Sequence, residues 1–380
     1  MRFLVCPICK SPLELYTFKE LTSTVSYEDA TLSQKQEVFD NDFNQFVESG
    51  LLLCRNCKKW FPITGGLPIL LPYRTPLHKQ FAVDFRDEIS QLKLNYEFPC
   101  MEPVSGERFV MGSFSKEWLD YHYDGILWDE SYQDLEETFL REVNFDPPQG
   151  EKLTFLEIGC GLGVTTYVAQ KRYNVDAVGV DLSLASMKAA QHYKRNPFLH
   201  FVQASAFYLP FREESFDLVY SRGVLHHTYS THEAFKAIAP YSRRGGRLYV
   251  WVYGPGSVRE SWLRRVVYLV EATVRPILSK RPSSPFSAVF LSLVALGYLV
   301  FNAFHRLRNP NTQKYTYGRA LHAARDRFTP RYAHRHDQKE VVAWFQEAGF
   351  KEIEVVDWQI MPSAQQEVYR RNVGVRGKRK

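Results

Sequence analysis

Through the middle of the chain, short and mostly apolar runs alternate with longer stretches whose apolar residues recur every three to four positions. The runs at 153–158, 175–181, 199–203, 216–221 and 246–253 read as strands buried on both faces. The stretches at 164–173, 183–194 and 231–240 carry the helical period between them. Such alternation predicts a parallel sheet with helices on both faces and a ligand crevice at the carboxyl ends of its strands. A helix at 337–348 and two further runs, 351–357 and 367–377, would complete the sheet. Upstream, Trp118, Leu119, Tyr121, Leu127, Trp128, Tyr132, Leu135, Phe139 and Leu140 place one or two helices within 116–144. The run Asp146-Pro147-Pro148-Gln149-Gly150 breaks the chain before the first strand.

The first strand runs into Gly159-Cys160-Gly161-Leu162-Gly163, three glycines at alternate positions where backbone passes close to a ligand. Asp181 ends the second strand 22 residues after Gly159, the spacing of a carboxylate that accepts from a ribose diol. A helix N-cap is the structural alternative for Asp181, although Ser183 can serve there too. The pattern from Glu157 is E-x-G-x-G-x-G, with Val164 at the third glycine of a dinucleotide fingerprint, which weakens a pyrophosphate ligand. Glu157 would oppose a pyrophosphate and suits a ligand carrying an ammonium, as S-adenosylmethionine (SAM) does.

With this turn, VGVDLS (178–183), QASAFYLPF (203–211), FDLVYSRGVLHH (216–227) and RRGGRLYVWVYG (243–254), the chain resembles the class I SAM-dependent methyltransferases of the type 11 kind. The resemblance implies a Rossmann-like, doubly wound, mostly parallel seven-stranded α/β sheet. It further implies that Glu157, Gly159, Cys160, Gly161 and Gly163 surround the methionine moiety, that Asp181 holds the ribose, and that Leu182 lies against adenine. Cys160 is read as a small residue the turn requires. Most relatives end the third strand in Asp-Ala, the Asp accepting from the adenine amino group. Here Ser205-Ala206 stands instead and predicts weaker anchoring. Ser221 and Arg222, at the end of the fourth strand, are expected cofactor contacts and stand where exocyclic-amino methyltransferases of nucleic acids carry an Asn or Asp before Pro-Pro and an aromatic residue. That difference argues against base N-methylation of that kind. His226 and His227 fall close to the departing methyl and are the candidate general bases, packing or contact with SAM being the alternative. Similar enzymes lay an N-terminal helical segment over the cofactor, which makes Tyr121, Tyr123 and Trp128 expected lining residues.

Cys6-Pro-Ile-Cys9 and Cys54-Arg-Asn-Cys57 can close a tetrahedral structural zinc site. The 44 residues between the knuckles exceed an ordinary ribbon, so 17–50 is expected to loop out. This segment is similar to the Trm112-like zinc ribbon, which in relatives precedes or partners methyltransferase domains.

Composition sharpens the picture little: 45% hydrophobic and 24% charged residues are ordinary for a globular protein, and a net charge of +6 is too mild to establish nucleic-acid binding. The N-terminus has no apolar run of signal-peptide length, and a reducing cytoplasm is the expectation for the cysteines. Expected units are a zinc-ribbon module (1–72), a helical lid or linker (73–150), the SAM-binding domain (151–253 and 337–380) and a helical substrate cap (254–336). Within the cap, 286–304 holds 19 residues without a charge, between Lys280, Arg281 and Arg306, Arg308. Its length permits a membrane span, but crossing would separate the sheet from its last strands. The preferred reading is a helical cap or interfacial pair: a buried cap first, with peripheral membrane contact through 261–304 as the alternative. Tyr332, His334 and His336 are candidate acceptor contacts. The function expected is SAM-dependent methylation of a small-molecule, glycan-intermediate or lipid-like acceptor. The alternatives are an RNA methyltransferase, suggested by the ribbon and the basic tail, and a non-catalytic SAM-fold scaffold, suggested by Ser205.

Overall fold

The computed structural model describes residues 4–22, 45–92, 95–121, 125–127, 130–147, 152–255, 262–308 and 314–380. Strands β1 (Glu14–Thr22), β2 (Gln45–Cys54), β3 (Lys59–Thr64) and β4 (Leu67–Pro68) form an antiparallel sheet in chain order. The insertion between the cysteine knuckles does not simply loop out at Thr17. Thr17 pairs with Gly50 and Thr22 with Gln45, so its two ends lengthen the β1–β2 ladder.

Two short helices follow, α1 (Pro76–Asp84) and α2 (Arg86–Gln91), with Phe81 of α1 against Trp60 and Phe18 of the small sheet. The expected helical segment at 116–144 is two helices, α3 (Glu107–Asp120) and α4 (Tyr132–Val143), separated by the two-residue strands β5 (Ile126–Leu127) and β6 (Glu130–Ser131). A capping box starts α4: the Asp134 N–H donates to Ser131 Oγ, and Ser131 N–H donates to the Asp134 carboxylate. Helix α3 begins at Glu107, upstream of the expected segment.

Next come β7 (Thr154–Ile158), α5 (Val164–Tyr173), β8 (Asp176–Asp181), α6 (Ala185–His192), β9 (Leu199–Gln203), β10 (Phe216–Arg222), α7 (Thr231–Ile238) and β11 (Ser242–Val252). Strand β11 starts four residues before its expected Gly246 because the ladder absorbs a register shift: Phe216 pairs with Ser242 but Leu218 with Arg247. Gly245, at φ 77°, turns the backbone at that irregularity.

The insertion holds α8 (Trp262–Leu278), α9 (Pro285–Arg308) and α10 (Tyr317–Phe328). The chain ends with α11 (Gln338–Glu347), β12 (Phe350–Val355), α12 (Gln366–Arg371) and β13 (Val373–Arg379). The expected strand at 367–377 is therefore helical in its first half. Glu367 pairs with Arg370 and Arg371 at helical spacing, and Tyr369 turns inward to donate to the buried Glu142.

The seven-stranded sheet has the order β12-β13-β11-β10-β7-β8-β9, parallel from β11 to β9, with β13 antiparallel to both of its neighbours, β11 and β12. Its order reverses between β7 and β10, so the crevice beyond their carboxyl ends is the topological position for a ligand. The small N-terminal sheet protects the β9 edge. Leu70 N–H donates to the Gln203 carbonyl at 2.8 Å and Val5 N–H to the Pro210 carbonyl at 2.8 Å. Cys6, Cys54 and Phe61 share one hydrophobic core with Val180, Val202 and Phe211.

Candidate active site

A 410 Å³ cavity opens beyond the carboxyl ends of β7, β8 and β10, within the size range of small-molecule sites. Its floor is the glycine turn. Gly159 stands at φ 78°, and a Cβ there would come within 2.1 Å of Val224 Cγ2, so only glycine fits. Gly161 is also left-handed, and its N–H donates to Asp181 Oδ2 at 2.8 Å. Gly163 serves packing: its Cβ would strike Phe201 at 2.6 Å, and it does not line the cavity.

Asp181 faces the cavity with both oxygens partly engaged, Oδ1 accepting from Ser183 N–H at 2.7 Å and Ser183 Oγ at 2.6 Å. It thus braces the turn, and a carboxylate retains acceptor capacity beyond these bonds. Burial raises its pKa against these hydrogen bonds. Glu157, also on the wall, accepts from the Thr166 hydroxyl, yet burial pushes its carboxyl up to about 8. Cys160 and Leu182 complete this end, the Cys160 thiol pushed up by burial and lying close over Gly179. That placement agrees with a steric part for Cys160.

Ala206 lines the cavity, but Ser205 does not. The Ser205 hydroxyl turns toward α3 and donates to Glu107 Oε1, while Phe207 N–H donates to Ser205 Oγ at 3.2 Å. Glu107 itself borders the cavity and is 5% exposed, and burial raises its pKa. Its Oε2 has no hydrogen-bond partner of normal geometry among the described residues; the Tyr73 hydroxyl is its neighbour. Sequence reading missed Glu107 because no motif surrounds it and its helix begins earlier than the apolar period suggests.

The opposite end is built from β10, β11 and the insertion. Arg222 reaches the cavity wall and is held by Glu130 at 2.8 Å and Glu142 at 3.5 Å. Glu142 also accepts from the hydroxyls of Tyr220, Tyr249 and Tyr369. Ser221 lies behind the wall, donating to the Ile158 carbonyl at 3.4 Å.

The two histidines part company. His226 is fully buried, stacked on Tyr253 with ring centroids 3.8 Å apart, and does not reach the cavity. It is removed from the candidate bases by its position under that ring. His227 does line the cavity, and burial lowers its pKa to about 3, so its ring is neutral near pH 7. Its Nδ1 lies 2.8 Å from the Tyr332 carbonyl, an acceptor only, so Nδ1 carries the proton and Nε2 the lone pair. Nε2 lies 3.9 Å from Asp326 Oδ1, and Asp326 Oδ2 accepts from the Tyr253 hydroxyl at 3.0 Å. Asp326, on α10, is a second residue the sequence did not mark. Burial pushes it up to about 6.

Three expected contacts are corrected. His334 turns its Nε2 to the Thr228 carbonyl at 3.0 Å, and His336 lies between Glu340 and Thr231 at 2.8 Å from each, so neither faces the cavity. Tyr332 points to Ser105 and Gly106. In the lid, Trp118 lines the cavity while Tyr121 packs on His322 and donates to the Ile126 carbonyl at 2.6 Å. Tyr123 and Trp128 lie outside the described residues.

Away from the cavity, the thiol sulfurs of Cys6, Cys9, Cys54 and Cys57 all lie within 4.8 Å of one another, with Cys6–Cys57 at 3.6 Å and Cys9–Cys54 at 3.4 Å. Each knuckle is followed by a lysine in the left-handed region, Lys10 at φ 60° and Lys58 at φ 54°. Four converging thiols fit a tetrahedral ion at the roughly 2.3 Å zinc–sulfur distance.

Residues 156–250 match the family model described as a methyltransferase domain, and residues 1–66 match that of the Trm112p-like protein. The chain carries a methyltransferase domain behind a Trm112p-like module. The O-methyltransferase cnsE of Penicillium expansum is 32% identical over 140 residues, covering 34% of this chain and 50% of that protein. The phosphoethanolamine N-methyltransferase of Triticum aestivum is 26% identical over 167 residues, covering 43% of this chain and 29% of its own length. The chain therefore spans half or less of these relatives. Among solved structures, phosphoethanolamine N-methyltransferase 2 of Haemonchus contortus, in complex with phosphomonomethylethanolamine and S-adenosylhomocysteine, aligns at 17% identity and a TM-score of 0.43. That alignment covers 74% of this chain and 61% of that one.

Proposed function

We propose that the chain transfers a methyl group from SAM to a small-molecule, glycan-intermediate or lipid-like acceptor, with zinc holding the N-terminal module. The carrying observation is a single cavity with two chemically different ends. At one end the glycine turn, Glu157 and Asp181 offer backbone proximity and carboxylates, which suits the ammonium, sulfonium and ribose of SAM. At the other, His227 presents an unprotonated Nε2 beside Asp326, a pair able to accept a proton from an acceptor hydroxyl or amine. Methyl transfer from a sulfonium needs little acid–base help beyond that, so holding the acceptor in line supplies much of the rate.

Glu107 is assigned to the adenine end. It brings a buried carboxyl from α3 to the place where Ser205 leaves the strand without one. The predominantly apolar wall, with Trp118, Leu127, Phe114 and Trp251, suits an enclosed acceptor better than an RNA strand lying in a basic groove. The zinc assignment rests on the four converging thiols. Bound zinc would tie the two knuckles together and leave no coordination position open for substrate.

Calorimetry with S-adenosylhomocysteine tests the cofactor assignment. The reading expects saturable one-to-one binding, weakened by about 100-fold in Asp181→Asn through the loss of charge-assisted hydrogen bonds. No heat with either SAM or S-adenosylhomocysteine would instead support the non-catalytic scaffold.

A further inference from the structure

The largest feature that the methyl-transfer reading leaves unused is the outer face of the insertion. On α9, Phe286, Val289, Leu293, Leu296, Val300 and Phe304 recur every three or four positions along one face, and each is at least half exposed. Val266, Leu269, Val270 and Ile277 do the same on α8, at 45–61% exposure. Apolar residues exposed in such a repeated row, and not singly, mark an interaction surface. The inner sides of both helices are used up: Leu278 of α8 and Leu291 of α9 pack with Ala324 and Phe328 of α10.

Charge identifies the occupant. Residues 262–308 contain Arg264, Arg265, Arg275, Lys280, Arg281, Arg306 and Arg308 against one acidic residue, Glu271. Glu271 is 1% exposed and is neutralised internally by Arg275, Arg327 and Arg335. Arg275 is buried with Glu271, and the basic groups that face outward are Arg265, Lys280, Arg281 and Arg308, the middle two at the α8–α9 turn. An anionic lipid surface complements the apolar rows and these basic groups at once, whereas a second copy would bring like charges together. Helix α9 is long and apolar enough to cross a bilayer. Crossing, however, would strip its inner face from α10, which carries Asp326 of the cavity wall.

We propose that α8 and α9 form an interfacial docking face that seats the protein on an anionic membrane surface, the helices lying in the plane of the headgroups. Because α10 joins that face to the cavity, docking would hold the acceptor end of the site near the lipid. The proposal stands whether or not methyl transfer is the activity, since the face is independent of the cofactor pocket.

Vesicle flotation of the full chain tests it, using phosphatidylcholine vesicles with and without phosphatidylglycerol. Binding is expected only with phosphatidylglycerol and should weaken by at least about tenfold in Lys280→Glu/Arg281→Glu, given about 1 kcal/mol per basic residue near such a surface. Leu293→Glu/Val300→Glu should abolish flotation while leaving S-adenosylhomocysteine binding and the melting temperature unchanged, which separates a docking defect from misfolding. Absence of flotation on anionic vesicles would overturn the proposal. So would a dimer in sedimentation velocity that Leu293→Glu/Val300→Glu dissolves without any effect on vesicle binding, since the face would then belong to a second copy.

Discussion

The Ser205 hydroxyl donates to the carboxylate of Glu107, 98 residues earlier in the chain and on a different element. Strand β9 ends without an acid, and α3 delivers one to the same corner of the cavity. If Glu107 reads adenine, Glu107→Ala should weaken S-adenosylhomocysteine by about tenfold, the cost of one buried polar contact. The sharper measurement compares S-adenosylhomocysteine with S-inosylhomocysteine, which lacks the amino donor. The native protein should prefer the adenosyl form, and Glu107→Ala should bind both alike. A preference that survives the substitution removes Glu107 from the adenine site.

Glu157 predicts a proton linkage. With its carboxyl pushed up to about 8 by burial, it is mostly protonated at pH 7 when the cavity is empty. A cationic ligand favours the ionised form and lowers that pKa, so binding SAM releases a proton and affinity rises with pH until about 8. The rise approaches about tenfold per pH unit at its steepest, the limit for one proton. Calorimetry in buffers of different ionisation enthalpy should detect the release, and Glu157→Gln should eliminate it.

Asp326, beside His227 on the cavity wall, is expected to set the acid limb of turnover. It is neutral below about pH 6 and ionised above. If the carboxylate helps His227 receive the substrate proton, turnover rises as pH passes upward through about 6. Asp326→Asn should lower kcat and flatten that limb, with cofactor affinity unchanged. A limb that persists in Asp326→Asn assigns the titration to another group.

Metal analysis should find one zinc per chain, bound by Cys6, Cys9, Cys54 and Cys57. Chelation should unfold the N-terminal sheet, because metal-binding free energy in such a module is folding free energy, on the order of 10 kcal/mol. Cys6 and Cys54 share a core with Val202 and Phe211, so the loss should also lower the melting temperature of the methyltransferase domain. Cys54→Ser should reproduce both effects. A metal-free module that melts like the native protein would contradict the assignment.

The alternation of strands and helices from β7 to β11, the glycine turn and the place of Asp181 at its strand end were legible in the sequence because each depends on short-range chemistry. A buried parallel strand reads as an apolar run, a left-handed turn demands glycine, and two CxxC pairs mark a candidate metal site. Tertiary structure decided what spacing cannot encode. Adjacent in sequence, His226 and His227 differ completely: the Tyr253 ring covers one, and the Tyr332 carbonyl orients the other into the cavity. Glu107 and Asp326 carry no local signature, since each joins the site only when its helix packs in the folded chain, α3 against α6 and α10 against α3. The apolar stripe of α9 could be read as buried or exposed from composition alone. Packing against α10 consumed one side of that helix and left the other facing outward.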